Sequence, residues 1–254
     1  RPLAAVGSDF SRSAFEQLER WRIDTEGLLS SDGPSARAFV FTDPASGAQL
    51  TTFYPMRTPD PKRPKDRAQI LTHYREQLAR SRASQVAVLP AEEAWQTLAC
   101  EVFETIELRL WNPGQFVEHL SEEGARRLWD WANLVVLNAH EWEVLQGKLS
   151  SPAGRALIIS DGAAPVRIRC ADPSMQIPDC PIPVEDGSPA ADPTGCGDAL
   201  LAGVLAHLSA ADAPILRQLE SAAALTAATT AGIQLAQQAL RQRGAVGYPP
   251  PRKS

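Results

Sequence analysis

The run Thr194-Gly195-Cys196-Gly197-Asp198 sets a carboxylate directly after two glycines that flank a cysteine. Leu200, Leu201, Val204, Leu205 and Leu208 follow at helical spacing and keep one apolar face. Asp198 therefore belongs to the first turn of a helix. The leading amide hydrogens of a helix have no acceptor within it, and the helix dipole is positive at that end. Glycines let a ligand approach such a backbone closely, so the segment predicts an anion site with an acid beside it. Two roles for the acid are open. It caps the helix, which is worth about 1 kcal/mol. Or it takes a proton from a substrate hydroxyl while the amides hold a transferring phosphoryl group. The segment is neither a Walker A loop, since no GxxxxGK follows, nor a GxGxxG turn, since Leu200 stands at the third glycine position.

The elements that must position this turn follow from periodicity. Strands are predicted over 3–7, 85–90, 106–111, 133–138, 155–160 and 164–170, and helices over 11–23, 66–81, 91–104, 121–132 and 139–147. Ser11 is a candidate cap for the first helix, and Ser121 with Glu122 and Glu123 suits the start of the fourth. Two β-rich stretches, 36–43 and 48–55, joined by Pro-Ala-Ser-Gly, read as a hairpin. The last third is helical from 215 to 240, with Asp212 as cap and Pro214 in the first turn. Strands alternating with helices imply a parallel sheet covered on both faces. The hairpin breaks that rhythm and reads as a flap standing off the sheet.

Composition narrows the function classes. With 25 basic and 30 acidic residues the formal charge is −5, which argues against a nucleic-acid binder. The one basic cluster, 57–67, is broken by prolines and interleaved with aspartates, as a solvated loop would be. Cys100, Cys170, Cys180 and Cys196 form no CxxC pair and have no zinc-ligand spacing. Free thiols in a reducing, cytoplasmic setting are expected. His73, His119, His140 and His207 show no metal spacing, and Trp129, Trp131 and Trp142 read as core or interface residues. No apolar run approaches the roughly 20 residues of a membrane span.

The stretch DPTGCGDALLAG, 192–203, resembles the C-terminal signature of the ribokinase-like (PfkB) carbohydrate and nucleoside kinases, and its PTGCGDA form is most similar to adenosine-kinase-like bacterial members. Residues 108–147, containing NPGQ and Asn138-x-x-Glu141, resemble that family's "DPGQ … NxxE" segment. Residues 3–29 resemble its "VGxD … GIDT" segment, and 35–55 its lid hairpin. The resemblance implies a three-layer α/β/α fold with a mostly parallel central sheet and a small β lid, about 28–55, within a domain over 1–245, followed by a disordered tail at 246–254. It implies ATP and Mg2+ as cofactors. Asp198 would be the general base, with Gly195, Cys196 and Gly197 as the anion hole. Thr194, Ser160 and Gly162 would lie near the nucleotide phosphates. Asn138 and Glu141 would position magnesium through water, and Gln115 would face the substrate or stabilise a turn. A small molecule is the implied partner, with no nucleic acid or membrane, and a homodimer or larger assembly is open.

Some positions depart from the family pattern. Asn112 replaces the Asp of DPGQ, Ala164-Pro165 interrupt the T-x-G-x-x-G run, and the small-residue motif after the lid is missing from FYPMRTPD. The family's first sheet strand, first lid strand, substrate-binding Asp and Gly-Gly motif have no counterpart in the sequence. This leaves three expectations. The first is a nucleoside kinase phosphorylating a primary hydroxyl, adenosine-like. The second is a sugar kinase of the ribokinase or fructokinase type. The third is a degenerate kinase fold retained as a structural subunit.

Overall fold

The computed structural model describes residues 1–43, 49–55, 57–150, 154–172, 174–182 and 193–241. The predicted tail at 246–254 lies outside them. The described residues divide into two compact units, one over 1–82 and one from 83 to 241.

In the first unit, β1 (Ala4–Val6) pairs in parallel with β2 (Leu28–Ser30). Between them runs α1 (Arg12–Arg20), whose Ser11 hydroxyl accepts from the Ala14 N–H as a helix cap. β3 (Arg37–Thr42) and β4 (Gln49–Tyr54) form an antiparallel hairpin that is a sheet of its own. The predicted hairpin is therefore present, but Leu28–Ser30 belongs with β1 rather than with it. α2 (Pro64–Arg80) follows with its proline in the first turn, where no amide hydrogen is needed.

The second unit holds one five-stranded sheet in the order β5-β6-β7-β8-β9. Its strands are β5 (Gln85–Val88), β6 (Leu108–Trp111), β7 (Leu134–Asn138), β8 (Ala156–Asp161) and β9 (Ala164–Arg169). The first four run parallel, and β9 returns antiparallel after a tight turn. α3 (Glu93–Val102), α4 (Glu122–Trp131) and α5 (Ala139–Lys148) make the crossovers. Right-handed crossovers that always step the same way along a sheet put every crossover helix on one face. The opposite face is left for the C-terminal helices, α6 (Cys196–Ala210), α7 (Ile215–Leu219) and α8 (Ala222–Leu240).

Side-chain alternation follows this layering. Leu108 and Leu110, Leu134 and Val136, Ala156 and Ile158, and Val166 and Ile168 form one buried cluster with Leu200, Val204, Leu208 and Ile233 of α6 and α8. The intervening Trp111 points the other way, and its indole N–H donates to Gln96 of α3 at 2.8 Å. Covered on both faces, the strands are continuous apolar runs rather than alternating ones. α6 and α8 pack unusually closely: a Cβ on Gly203 would lie 2.6 Å from the Gly232 Cα.

Two details differ from the sequence expectation. The C-terminal helix is interrupted after Leu219, because the Ser221 hydroxyl accepts from the Ala224 N–H and starts α8 afresh. Asp212 caps nothing; α7 begins at Pro214 with no side-chain cap. Among the described residues, no helix is long and apolar enough to cross a membrane.

Candidate active site

In parallel sheets ligands bind outside the carboxyl ends of the strands, where the crossovers leave a crevice. The second unit has a cleft there of about 550 Å³, its open mouth included, lined where β5, β6, β7 and β8 end and where α6 begins. Pro90 follows β5, Asn112, Gly114 and Gln115 follow β6, Asn138 and Glu141 end β7 and begin α5, and Ser160 ends β8. Gly195, Gly197 and Asp198 come from the start of α6, while Val136, Leu137 and Leu200 form an apolar floor.

The α6 start is built as the glycine pattern predicts. Gly195 is its N-cap with φ 84°, a left-handed conformation that glycine adopts without strain. It offers no capping side chain, and Asp198 makes no cap hydrogen bond either. The capping role left open for Asp198 is thus not the one this structure displays. The carboxylate is open to solvent at the cleft. Protein packed around it nevertheless strips enough water away that burial raises its pKa above the ordinary 3.8. Of the three predicted cradle residues, Cys196 already gives its N–H to the Pro193 carbonyl at 3.1 Å, and its thiol lies 3.7 Å from the Ala236 carbonyl of α8. That thiol is a packing contact.

Asn138 and Glu141 form a complete capping box at the start of α5. The Glu141 N–H donates to Asn138 Oδ1 at 2.8 Å, and Glu141 Oε2 accepts from the Asn138 N–H at 3.0 Å. Glu141 Oε1 accepts from Asn138 Nδ2 at 2.8 Å. Glu141 is buried, and burial raises its pKa against the smaller opposing pull of the Asn138 hydrogen bonds. Asn138 remains exposed toward the cleft. Ser160 pairs with Asn138 in the β7–β8 ladder, and on its other side the β8–β9 ladder has a register irregularity between Ile159 and Asp161.

The structure thus brings together Gln115, Asn138, Glu141, Ser160, Gly195, Gly197 and Asp198. Gly162, Thr194 and Cys196 do not line the cleft; Gly162 sits in the β8–β9 turn at φ 55°. Pro90, Gly114, Val136, Leu137 and Leu200 were not assigned to a site from the sequence. Pro90 and Gly114 follow strand ends, Val136 and Leu137 belong to the last part of β7, and Leu200 lies near the start of α6.

The donor set bears on a divalent cation. Among the described residues, no group of three or more His, Cys, Asp or Glu side chains could cage one. Both oxygens of Glu141 already accept hydrogen bonds. Among the described residues, the cleft lining carries two carboxylates and no Lys or Arg. This donor set fits a magnesium ion that arrives with phosphate and keeps its waters better than one caged by side chains.

Layering, strand order and a cleft at the carboxyl edge define a ribokinase-like α/β protein. The chain belongs to the pfkB family of carbohydrate kinases, whose sequence pattern matches residues 3–250. It is therefore a PfkB-type kinase, a phosphotransferase. Among solved structures it is similar to the nucleoside kinase of Burkholderia thailandensis in complex with inosine, at 21% identity and TM-score 0.74, over 98% of this chain and 75% of that one. It is similar to the Methanocaldococcus jannaschii nucleoside kinase at 22% identity and TM-score 0.72, over 97% and 76% of the two chains. The ribokinase of Giardia lamblia gives 14% identity and TM-score 0.66, over 95% and 76%. At these identities the likeness establishes the fold. A search of curated sequences finds no match.

Proposed function

We propose that the protein is an ATP-dependent kinase that transfers the γ-phosphoryl group to a primary hydroxyl of a nucleoside, adenosine-like, with Asp198 as general base. The observation that carries this reading is a solvent-reachable, partly desolvated carboxylate in the first turn of a glycine-capped helix. Desolvation raises the basicity of Asp198 toward the range useful for proton abstraction. The acceptor hydroxyl passes its proton to Asp198, its oxygen bonds to the γ-phosphorus, and the bond to the β-phosphate oxygen breaks, leaving ADP. Asp198 then releases the proton to solvent. In this reading the backbone at Gly195 and Gly197 would meet the charge that develops on the phosphoryl oxygens, with Ser160 on the nucleotide side; Cys196, Thr194 and Gly162, which lie outside the cleft lining, would act only through the shape of their turns. Asn138 and Glu141 would hold magnesium through water, and the ion would supply neutralising charge for the phosphates. Gln115 is exposed at the cleft, and in this reading it would meet the acceptor.

The nucleoside assignment draws on the PTGCGDA signature and on the kinship in fold with nucleoside kinases. A sugar acceptor is the second reading, favoured by the family description itself. The test is a panel of nucleosides and sugars with ATP and magnesium, following ADP release and identifying the product by mass. A nucleoside 5′-monophosphate is expected. A sugar phosphate in its place moves the assignment to the second reading, and no phosphorylated product from any acceptor rejects both.

A further inference from the structure

The β6–β7 ladder stops at the pair Trp111 and Val135, one residue short of Asn112. Past that point β6 turns away through Pro113. Two backbone groups at the end of β7 are then served by side chains. Asn112 Nδ2 donates to the Val136 carbonyl at 2.7 Å, and Glu141 Oε2 accepts from the Asn138 N–H at 3.0 Å. The backbone N–H of Asn112 donates to the Val88 carbonyl at 2.9 Å. One residue thus ties together the carboxyl ends of β5, β6 and β7. Each of those ends delivers residues to the cleft: Pro90, then Gly114 and Gln115, then Asn138 and Glu141.

We infer that Asn112 is a positioning residue, whose side-chain amide clamps β6 to β7 and so holds Gln115, Asn138 and Glu141 in register around the cleft. Its part in the reaction rests on the kinase reading above; the clamp itself does not. The side chain must donate, because Val136 is 2% exposed and its carbonyl has no strand partner on that side. An ionised aspartate, the residue the family pattern carries here, only accepts and would set a negative charge against that carbonyl. This chain has therefore made the position a donor.

The test compares Asn112→Ala and Asn112→Asp with the parent protein. It measures kcat against pH, and amide hydrogen exchange over 134–141 without substrate. Asn112→Ala is expected to lose about tenfold or more in kcat at every pH, because the cleft groups are no longer held in place. Asn112→Asp is expected to lose more near pH 8 but to recover relative to the parent as the pH falls toward about 5. There the introduced carboxyl takes up a proton and can donate to Val136. Glu141 and Asp198, the titratable groups that line the cleft, are common to all three proteins and cancel in the ratio. Both variants should exchange faster over 134–141 at pH 8. Parent-like exchange in both overturns the clamp, and faster exchange with parent-like kcat overturns the positioning role. If the Asp variant does not fold, the Ala variant decides both points. If the parent phosphorylates no acceptor, the kinase reading has failed separately, and exchange over 134–141 still decides the clamp.

Discussion

A carboxylate that loses part of its water on folding weakens the fold, and Asp198, open to the cleft but partly desolvated, is such a group. Its pKa is raised above 3.8 by burial, so between that value and the raised one the folded state holds a proton that the unfolded state has released. Stability therefore falls as pH rises through this window and stays lowered above it. Glu141, raised chiefly by burial, acts in the same direction. Replacing Asp198 by Asn should leave the melting temperature at pH 7 unchanged or higher and flatten that pH slope, as thermal melts at a series of pH values would show. A structural residue would lower it. Activity runs the opposite way: kcat/KM should decline as pH falls through the raised pKa of Asp198, because the protonated acid cannot act as base. Cys100 is a separate case. Burial pushes its thiol up to about 12, so native protein should not be alkylated there at pH 8, while unfolded protein should be.

At the scale of elements, the α6–α8 crossing sets where Asp198 stands. The two helices meet at Gly203 and Gly232, where a Cβ on Gly203 would fall 2.6 Å from backbone and one on Gly232 2.6 Å from the Leu200 carbonyl. Gly203→Ala should lower stability by about 1–3 kcal/mol through overpacking, read by urea denaturation. It should also reduce activity, since α6 carries Gly195–Asp198 at its start. The β3–β4 hairpin presents Phe41 and Leu50, a directly opposed pair, at 59% and 65% exposure, with Phe39 exposed on the same face. Such a patch on a two-stranded sheet binds apolar probes. The double variant Phe41→Ser, Leu50→Ser should lower the fluorescence of a bound apolar dye without changing the fold of the second unit, checked by circular dichroism. Local chemistry made these elements readable in advance wherever it was strong. Ser11 and Ser121 were recognisable as caps, and each accepts from an amide three residues on. β2 was not readable: three residues carry no periodicity, and Leu28–Ser30 is a strand only because Ala4–Val6 lies beside it. The break between α7 and α8 was hidden in an alanine-rich run whose helix propensity is continuous.

For the whole molecule, the alternation of strands and helices was enough to anticipate a parallel sheet with helices on both faces, because the period of each segment is set by its own residues. Which residues meet in the cleft was less legible, since that depends on where each strand ends in space. Asp198 was reached from the glycine turn and the helical spacing after it, Gln115, Asn138, Glu141 and Ser160 through motif resemblance, and Asn112 only as a departure from it, its hydrogen bond to Val136 being invisible in sequence. Gly162 and Thr194 carried the motif yet stand outside the cleft lining. The account turns on one claim, that the acid at the head of α6 moves a proton rather than holding up the helix. The direct measurement is kcat of Asp198→Asn together with its nucleotide affinity by titration calorimetry. A fall in kcat of at least about a hundredfold, with nucleotide affinity near that of the parent, is predicted. A variant that turns over at close to the parent rate would contradict the assignment.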